Sequence, residues 1–436
     1  MEYLGVSIDL KHMPKLDPGF VPFGVWREAY LKGAAIPIAI AVERNDGKIT
    51  VWRTRIHGTE AFARADCRYV ERMVKFLLWS VGGFRIYLCG CSEIARRLRE
   101  DYTPNGNRAF DADFFRKVYE RDLEILDRSL EDCPQPNEAP RPLGGPLDGC
   151  RIGFDAGGSD RKVSAVMDGE CVYTEEVVWF PKLQEDPQYQ YRHIVKALRT
   201  AASKLPRVDA IGVSSAGVFV GNAPMVSSIF YNVPRSRWEE VKTCFDRAAK
   251  EIGDVPIVVA NDGDVSALAG AMGLGTGRIM GIAMGTSEAV GYVDKDQNVL
   301  DWISELAFAP VDLSEEAEAD EWSTDIGAGC KYFSQDAVLK LAPRAGIRLD
   351  ESLSPAEQLK VVQALESDPR ALEVFQDIGV YLAHTAVLYA QFYDIERIIL
   401  MGRVMSARGG EIILDTACRV LEEDHPELAK KLILML

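Results

Sequence analysis

Residues 151–167 read Arg-Ile-Gly-Phe-Asp-Ala-Gly-Gly-Ser-Asp-Arg-Lys-Val-Ser-Ala-Val-Met, which places Asp155, Gly157, Gly158 and Ser159 between two apolar runs. Both runs are typical of strands, so the stretch predicts a β-hairpin rather than the strand and helix of a dinucleotide-binding turn. Because glycine has no Cβ, backbone N–H groups at the tip can approach phosphate oxygens, and the serine adds a hydroxyl. Asp155 can hold Mg²⁺ directly or through water. Taken alone, the pattern is more typical of a tight turn than of a phosphate-binding loop.

Four further segments follow in order, and each contains a predicted strand that ends in small or polar residues. They are Asp209-Ala-Ile-Gly-Val-Ser-Ser-Ala-Gly217, Val255-Pro-Ile-Val-Val-Ala-Asn-Asp262, Ile279-Met-Gly-Ile-Ala-Met-Gly-Thr-Ser287 and Ile398-Ile-Leu-Met-Gly-Arg-Val404. The pair Asn261-Asp262 precedes a segment that looks helical, so on its own it is more typical of a helix N-cap than of a catalytic pair. Its place within the series favours catalysis.

In this order and spacing, the segments resemble those of the sugar kinases of the hexokinase and actin superfamily, and most closely its ROK branch (repressors, open reading frames and kinases). The resemblance covers about residues 150–436 and does not visibly reach the first 145. It implies an α/β protein with the actin-like ATPase fold, in which two ribonuclease-H-like lobes, at about 149–265 and 266–436, enclose a cleft.

The resemblance also implies that the chain binds ATP and Mg²⁺, with Asp155 as the magnesium ligand. The residues that would bind the nucleotide lie in three loops: Asp155, Gly157, Gly158 and Ser159; Gly285, Thr286 and Ser287; and Gly402. Phosphoryl transfer depends mainly on positioning and on charge neutralisation, which such loops provide.

For the acceptor, the resemblance implies a sugar or polyol bound by Asn261 and Glu305, with Asp262 as the general base. A carboxylate at a strand end inside a cleft suits that role, because geometry matters more than basicity. The implied activity is the ATP-dependent phosphorylation of a sugar hydroxyl.

The chain departs from the ROK pattern at several positions. Family members usually carry Gly-Thr-Gly-x-Gly at 285–289 and Gly-Gly-Gly near 402, where this chain has Gly-Thr-Ser-Glu-Ala and Met-Gly-Arg. Of the usual Glu-x-Gly-His and Gly-Cys-x-Glu motifs, Glu305 is kept, but Phe308 replaces the histidine and Tyr332 the second glutamate. The sequence therefore predicts no bound zinc and leaves open a second interpretation, a non-catalytic protein that senses a sugar or nucleotide.

Composition excludes several other classes of protein. The net charge is −16, and residues 1–150 carry 22 basic and 22 acidic side chains, so neither part resembles a nucleic-acid binder. No apolar run approaches the roughly 20 residues that span a bilayer, and the start lacks a signal-peptide pattern. We therefore expect a cytoplasmic protein with a small-molecule partner, no membrane partner and, as one option, a homodimer. The nine cysteines are best interpreted as reduced thiols.

The first 132 residues predict a separate α/β accessory domain. Residues 36–42 and 49–56 form a predicted hairpin, followed by a helix at 69–81, a strand at 84–89 and a helix at 92–102 with Ser92 as N-cap. This order fits either a degenerate copy of a ribonuclease-H-like half or an unrelated α/β cap. Five prolines and two glycines within 133–146 predict a linker over 133–148.

Three remaining features have competing interpretations. The acidic run at 315–321 is more typical of a solvated loop than of a metal site. His384 lies in an apolar helical segment, which favours a buried structural histidine. Trp302 and Trp322 lie near the altered sugar-contact motifs, where they fit equally a ring that stacks on substrate and an ordinary loop anchor.

Overall fold

A computed structural model describes residues 1–138 and 147–436 of the chain; most of the predicted linker, residues 139–146, lies outside the described residues. The strands are β1 (Glu2–Tyr3), β2 (Val6–Ser7), β3 (Ile36–Glu43), β4 (Ile49–Ile56), β5 (Arg85–Cys89), β6 (Glu124–Arg128), β7 (Cys150–Ala156), β8 (Asp160–Met167), β9 (Glu170–Val178), β10 (Ala210–Ser215), β11 (Gly217–Val220), β12 (Ala223–Ser227), β13 (Ile257–Asn261), β14 (Ile279–Met284), β15 (Glu288–Val293), β16 (Arg397–Met401) and β17 (Ile433–Met435).

The helices are α1 (Phe23–Leu31), α2 (Ala63–Val81), α3 (Ser92–Asp101), α4 (Ala109–Tyr119), α5 (Gln188–Ala202), α6 (Trp238–Lys242), α7 (Cys244–Lys250), α8 (Asp262–Leu274), α9 (Gln335–Arg344), α10 (Pro355–Ala364), α11 (Pro369–Phe392), α12 (Ala407–Asp424) and α13 (Pro426–Ala429). Within the described ranges, none of these helices combines the length and the apolar character that crossing a membrane requires.

The first lobe contains a five-stranded sheet in the order β13-β10-β7-β8-β9. Strand β7 is antiparallel to β8 and parallel to β10, which in turn is parallel to β13. Residues of β7 alternate between buried and half-buried, as a strand with one covered face should. The covered face, which includes Ile152 and Phe154, packs against α5 and α7.

The second lobe repeats the beginning of this pattern. Its sheet has the order β15-β14-β16-β17, in which β14 is antiparallel to β15 and parallel to β16. Each lobe therefore starts with an antiparallel hairpin whose first strand then pairs in parallel with a later strand, which is the arrangement predicted for ribonuclease-H-like lobes.

The N-terminal residues form a third sheet, in the order β4-β3-β5-β6. The predicted hairpin, strand and helices are present, but α3 begins at Ser92 and its N-cap is Cys91. The Ser92 hydroxyl instead donates to Asp127 at 3.0 Å, so its predicted capping role is wrong. Strand β3 is antiparallel to β5, whereas the equivalent pairs in both lobes are parallel, and this excludes a degenerate copy of a lobe.

The N-terminal residues share one hydrophobic core with the second lobe. Helix α1 crosses α11 so closely that a Cβ on Gly24 would lie 2.5 Å from the backbone nitrogen of Leu388. Ring contacts continue this interface, with centroids 4.3 Å apart for Trp52 and Phe392. The domain bounds at 132, 149 and 265 stay predictions, but the first 132 residues bury their apolar side chains jointly with the second lobe.

A buried ionic cluster joins the same two parts of the chain. Arg72 and Lys75 of α2 both contact Asp325 of the second lobe, at 3.1 and 2.9 Å, and Lys75 also contacts Asp111 at 3.1 Å. All four side chains are almost fully buried. Burial by itself raises the pKa of Asp325, but the charges of Arg72 and Lys75 outweigh this effect and the pKa is lowered.

We expect Asp325→Asn to destabilise the protein by about 3–5 kcal/mol, because it removes the shared partner of three cations, Arg72, Lys75 and Arg108. Since the pKa of Asp325 is lowered in the folded state, its contribution is present above the unfolded-state pKa and is lost as the pH falls through the folded-state value. Urea unfolding followed by circular dichroism measures the change.

The matched control is Asp113→Asn on α4, whose carboxylate is 45% exposed and pairs with Arg116 and Lys117 at the surface. This substitution should cost about 1 kcal/mol or less. Equal losses in the two variants would show that the buried cluster does not join the N-terminal residues to the second lobe energetically.

Candidate active site

The hairpin predicted at Asp155 is present. Gly157, Gly158 and Ser159 connect β7 to β8 and form its tip. Trp179 fixes this tip, because its indole Nε1 donates to the Gly157 carbonyl at 2.7 Å and its backbone N–H donates to the Ser159 carbonyl at 3.1 Å. A Cβ on Gly157 would lie 2.7 Å from the carbonyl oxygen of Asp160, so the tight tip requires glycine.

Lys182 lies directly against this tip and was missed by the sequence analysis. A Cβ on Gly158 would be 2.7 Å from Cε and 3.0 Å from Nζ of Lys182. Lys182 is exposed. The lysine follows β9 in a short 3-10 turn, Pro181–Leu183, so only the folded chain shows that its ammonium group reaches the loop. The tip of the first hairpin therefore has glycines, which carry no side chain, next to an ammonium group. Phosphate-binding loops combine the same two features.

Asp155 is half-buried beside Ser214 and Lys162. Burial raises the pKa of Asp155, while a hydrogen bond from the Ser214 side chain and the charge of Lys162 oppose the rise. Both neighbours follow from sheet register, because Ser214 of β10 and Lys162 of β8 lie directly opposite Asp155 on either side. The serine is a further site residue that the sequence did not single out.

The structure separates the roles of Asn261 and Asp262. Asn261 is the N-cap of α8: its Oδ1 accepts from the backbone N–H of Gly263 at 2.7 Å, and its Nδ2 donates to the Gly217 carbonyl at 2.9 Å. Asp262 is the first residue of the helix. The capping interpretation of the pair therefore applies to Asn261. The Asp262 carboxylate makes a longer contact with the same N–H, at 3.1 Å from its Oδ1 to the Gly263 nitrogen.

Two glycines place Asp262 against the second lobe. A Cβ on Gly291 of β15 would lie 2.1 Å from the carbonyl oxygen of Gly263, and a Cβ on Gly263 would lie 2.7 Å from that of Val290. The first turn of α8 is therefore in backbone contact with β15. Because β13 of the first lobe leads directly into α8, this contact holds Asp262 at the junction of the lobes.

Four carboxyl groups from the two lobes meet at this junction. Burial, and then the charge of Asp155, raises the pKa of Asp262. Burial and the charge of Asp262 raise the pKa of Glu305 to about 7, and burial and the charge of Glu305 raise that of Glu288 to about 8. Among the residues that the structure describes, no ion pair involves Glu288 or Glu305. The junction is therefore rich in carboxyl groups, and their environment favours the protonated forms.

Glu288 was not identified from the sequence as a site residue. It is 5% exposed at the start of β15, where Tyr389 donates to its Oε1 at 3.2 Å. A Cβ on Gly329 would lie 2.3 Å from Oε2, so glycine is required beside it. In the sequence Glu288 directly follows Gly-Thr-Ser, and nothing in that pattern indicates that its side chain is buried.

The second hairpin lies beside the loop that contains Gly402. Gly285, Thr286 and Ser287 connect β14 to β15, and the last two are exposed at the tip. Gly402 has φ +97°, and a Cβ there would lie 2.5–2.8 Å from the backbone of Met284, so only glycine lets this loop pack beside the hairpin. In the described ranges, no hydrogen bond joins this hairpin to the one at Asp155.

Two of the residues that depart from the ROK pattern, Phe308 and Tyr332, contact the N-terminal residues. The Phe308 ring lies 4.5 Å from that of Trp79, measured between centroids. Tyr332 is fully buried; its hydroxyl donates to Asp312 at 2.6 Å and its ring lies 5.6 Å from that of Phe20. Both replacements therefore pack against a part of the chain that lies outside the ROK resemblance.

The structure shows the surroundings of His384 and Trp302. His384 is fully buried, with hydrogen bonds to His425 at 2.8 Å and to the His12 carbonyl at 2.9 Å, which agrees with a structural role. Trp302 packs edge-on against Tyr393 with centroids 5.3 Å apart, which agrees with an anchor.

The described residues contain no group of three or more His, Cys, Asp or Glu side chains arranged to hold a metal ion. Cys330, in the region where family members bind zinc, lies 3.5 Å from the Asp320 carboxylate. Burial raises the pKa of the Cys330 thiol.

We therefore expect protein purified without added metal to contain no stoichiometric zinc, as elemental analysis can determine. One zinc per chain would contradict this expectation and show that the segment from Glu305 to Tyr332 is aligned wrongly with the family motifs.

No model of a known protein family matches the chain, and no curated protein matches it in sequence. Among solved structures, a ROK family transcriptional regulator described as a homolog of the E. coli MLC protein is 18% identical, with a TM-score of 0.54 over 66% of this chain and 74% of that chain. A ROK family glucokinase from Streptomyces griseus, in complex with glucose and AMPPNP, is 20% identical, with a TM-score of 0.48 over 66% and 94%. ROK hexokinase from Thermus thermophilus is 18% identical, with a TM-score of 0.49 over 65% and 92%.

The match to the regulator confirms the predicted fold: this chain shares the fold of that ROK family structure over 66% of its length. At these identities the similarity shows the fold and leaves the activity to be argued from the site.

Proposed function

We propose that this protein phosphorylates a hydroxyl group of a sugar or sugar-like polyol with Mg-ATP, and that Asp262 is the general base. The observation that carries the proposal is the position of Asp262, a half-buried carboxyl group at the lobe junction. Its charge interacts with Asp155 on the phosphate-loop side and with Glu305 on the acceptor side.

The residues of the two hairpins fit Mg-ATP. The first hairpin offers a tip at which Gly157 and Gly158 leave no space for a Cβ. It also offers the Lys182 ammonium group and the Asp155 carboxylate. The second offers the exposed hydroxyls of Thr286 and Ser287, with Gly402 packed behind them. Bound Mg-ATP would supply the phosphoryl group and charge neutralisation. Asp155 would hold the metal, and the backbone of both tips would orient the phosphates.

On the acceptor side, Asp262 would accept the proton of the attacking hydroxyl. Its raised pKa means that proton transfer requires a pH above that value, so activity should fall as the pH drops through it. Glu305 would bind a second hydroxyl. Asn261 keeps hydrogen-bonding capacity for the acceptor, because an amide oxygen and an NH₂ group can each make a further bond beyond those to Gly263 and Gly217.

A second candidate function is the sensing of a sugar without turnover. The orientation of Phe308 and Tyr332 favours it, since both replace usual sugar contacts and both face the N-terminal residues instead. The kinase interpretation is preferred because a sensor has no need of a base at the junction. The cytoplasmic location, the homodimer and the absence of nucleic-acid and membrane partners stay predictions.

Substituting Asp155 tests the nucleotide site. We expect Asp155→Ala to weaken Mg-ATP binding in titration calorimetry by about tenfold or more, because a charge-assisted metal contact is lost. The matched control is Asp148→Ala just before β7, where the carboxylate is 80% exposed and pairs with Arg151 at 3.6 Å. This control should bind Mg-ATP nearly as the wild type does. Unchanged affinity in Asp155→Ala would contradict the assignment.

Substituting Asp262 tests the chemistry. Asp262→Asn keeps the shape but removes the proton acceptor, so turnover should fall on the order of a hundredfold or more while Mg-ATP binding hardly changes. Because Asn261 is the cap, the melting temperature should also hardly change. Asn261→Ala, in contrast, should lower the free energy of unfolding by about 1 kcal/mol.

Steady-state kinetics and thermal unfolding of both variants separate the two roles. Full turnover in Asp262→Asn would contradict the general-base assignment, and a large loss of stability in that variant would show that the carboxylate has a structural role.

A further inference from the structure

Two exposed aromatic rings, one from each lobe, contact each other across the lobe junction. Tyr231 follows the 3-10 turn Ser228–Phe230 of the first lobe, and Trp322 lies between β15 and α9 of the second. Their ring centroids are 6.1 Å apart at an interplanar angle of 74°. The two residues are 64% and 63% exposed, although they contact each other edge to face.

Packing does not explain this exposure. Ile229 and Phe230, the two residues before Tyr231, are fully buried in the first-lobe core, so the chain turns only the tyrosine outward. Large rings that stay in contact with water forgo the free energy of burial, and such surfaces commonly mark binding sites.

Hydrogen bonds and a β-bridge define the conformation of the loop that carries Trp322. The Asp320 carboxylate accepts from the backbone N–H of Trp322 at 3.2 Å and from that of Ser323 at 2.6 Å. Ala319 and Ile326 form a β-bridge across its base, and Asp325 belongs to the buried ionic cluster. The indole is therefore held in solvent by an ordered loop, as a binding residue should be.

Both rings are connected through neighbouring residues to the lobe junction. On the first lobe, the Ser227 hydroxyl donates to the Ala216 carbonyl at 2.8 Å, and the adjacent Gly217 carbonyl accepts from Asn261. On the second lobe, the same Asp320 that fixes Trp322 contacts Cys330, which is next to Gly329 and hence to Glu288. The pair therefore lies on segments that contact the lobe junction from both lobes, at Asn261 and at Glu288.

The chemistry of the pair suits a cyclic sugar. One face of a pyranose is lined by C–H groups and packs on an aromatic ring, while its hydroxyls remain free for polar partners at the rim. The Tyr231 hydroxyl and the Trp322 indole N–H can supply such contacts. An acyclic polyol has the same hydroxyls but no fixed apolar face.

We propose that Tyr231 and Trp322 form a carbohydrate-binding subsite that stacks on the apolar face of a cyclic sugar acceptor and holds the two lobes around it. The inference rests on the proposed function for its acceptor class and extends it by selecting pyranoses over acyclic polyols. Both residues are specificity-determining groups that act by binding, so their loss should raise KM more than it lowers kcat.

The binding test uses intrinsic tryptophan fluorescence without ATP. Wild-type protein is titrated with D-glucose, D-mannose and N-acetyl-D-glucosamine, and with D-glucitol as the acyclic probe. At least one pyranose should change the emission, D-glucitol should not, and the change should be lost in Trp322→Phe, which keeps an aromatic ring but not the indole. No response to any pyranose, or an equal response in Trp322→Phe, would overturn the inference.

The kinetic test uses whichever pyranose the wild type phosphorylates. Trp322→Ala and Tyr231→Ala should each raise its KM about tenfold with kcat within about threefold, because one stacking contact is lost. Trp322→Phe should stay close to the wild type. The two alanine effects should combine less than additively, since each ring contacts the other.

The outcomes separate this inference from the function on which it rests. Turnover with unchanged KM in both alanine variants would overturn the subsite and leave the kinase intact. A fluorescence response that depends on Trp322, without turnover in the wild type, would support the subsite and overturn the kinase. D-glucitol phosphorylated with the same KM as the pyranose would overturn the proposed selection for cyclic sugars.

Discussion

The backbone contact between Gly263 and Gly291 is the constraint on which the site depends. A Cβ on Gly291 would lie 2.1 Å from the Gly263 carbonyl oxygen, so a side chain there would push the first turn of α8 away from β15. The contact joins the end of a first-lobe strand to a second-lobe strand. Asp262 lies within it. Burial at this contact is the main cause of the raised pKa values of Asp262 and Glu305, and the charge of a neighbouring carboxyl group, Asp155 for Asp262 and Asp262 for Glu305, adds to it.

The N-terminal residues pack against the second lobe. They contribute to one continuous core with the second lobe, and they contact the two residues, Phe308 and Tyr332, that replace the usual sugar contacts of ROK proteins. The ionic cluster around Asp325 also connects α2 to the loop that carries Trp322. The region around Phe308 and Tyr332 is therefore built jointly by the N-terminal residues and the second lobe, and it is there that the chain departs from the ROK pattern.

Much of this arrangement could be predicted from local sequence. The hairpin at Asp155 follows from two apolar runs around glycines, and the strand that ends at Asn261 follows from a β-branched run before two polar residues. Lys182, Ser214 and Glu288 could not be predicted, because each enters the site through sheet register or chain packing rather than through spacing. The capping role fell to Asn261 rather than Asp262, which depends on a backbone conformation that the residue types alone do not determine.

The central claim is that the acidic lobe junction supports phosphoryl transfer to a sugar. The most direct measurement is ³¹P nuclear magnetic resonance of the wild-type protein with Mg-ATP and a panel of hexoses, amino sugars and polyols. The account predicts a sugar-phosphate resonance that grows with ADP over many turnovers for at least one member of the panel. Calorimetric binding of both Mg-ATP and a sugar, with no sugar phosphate formed from any member, would contradict it.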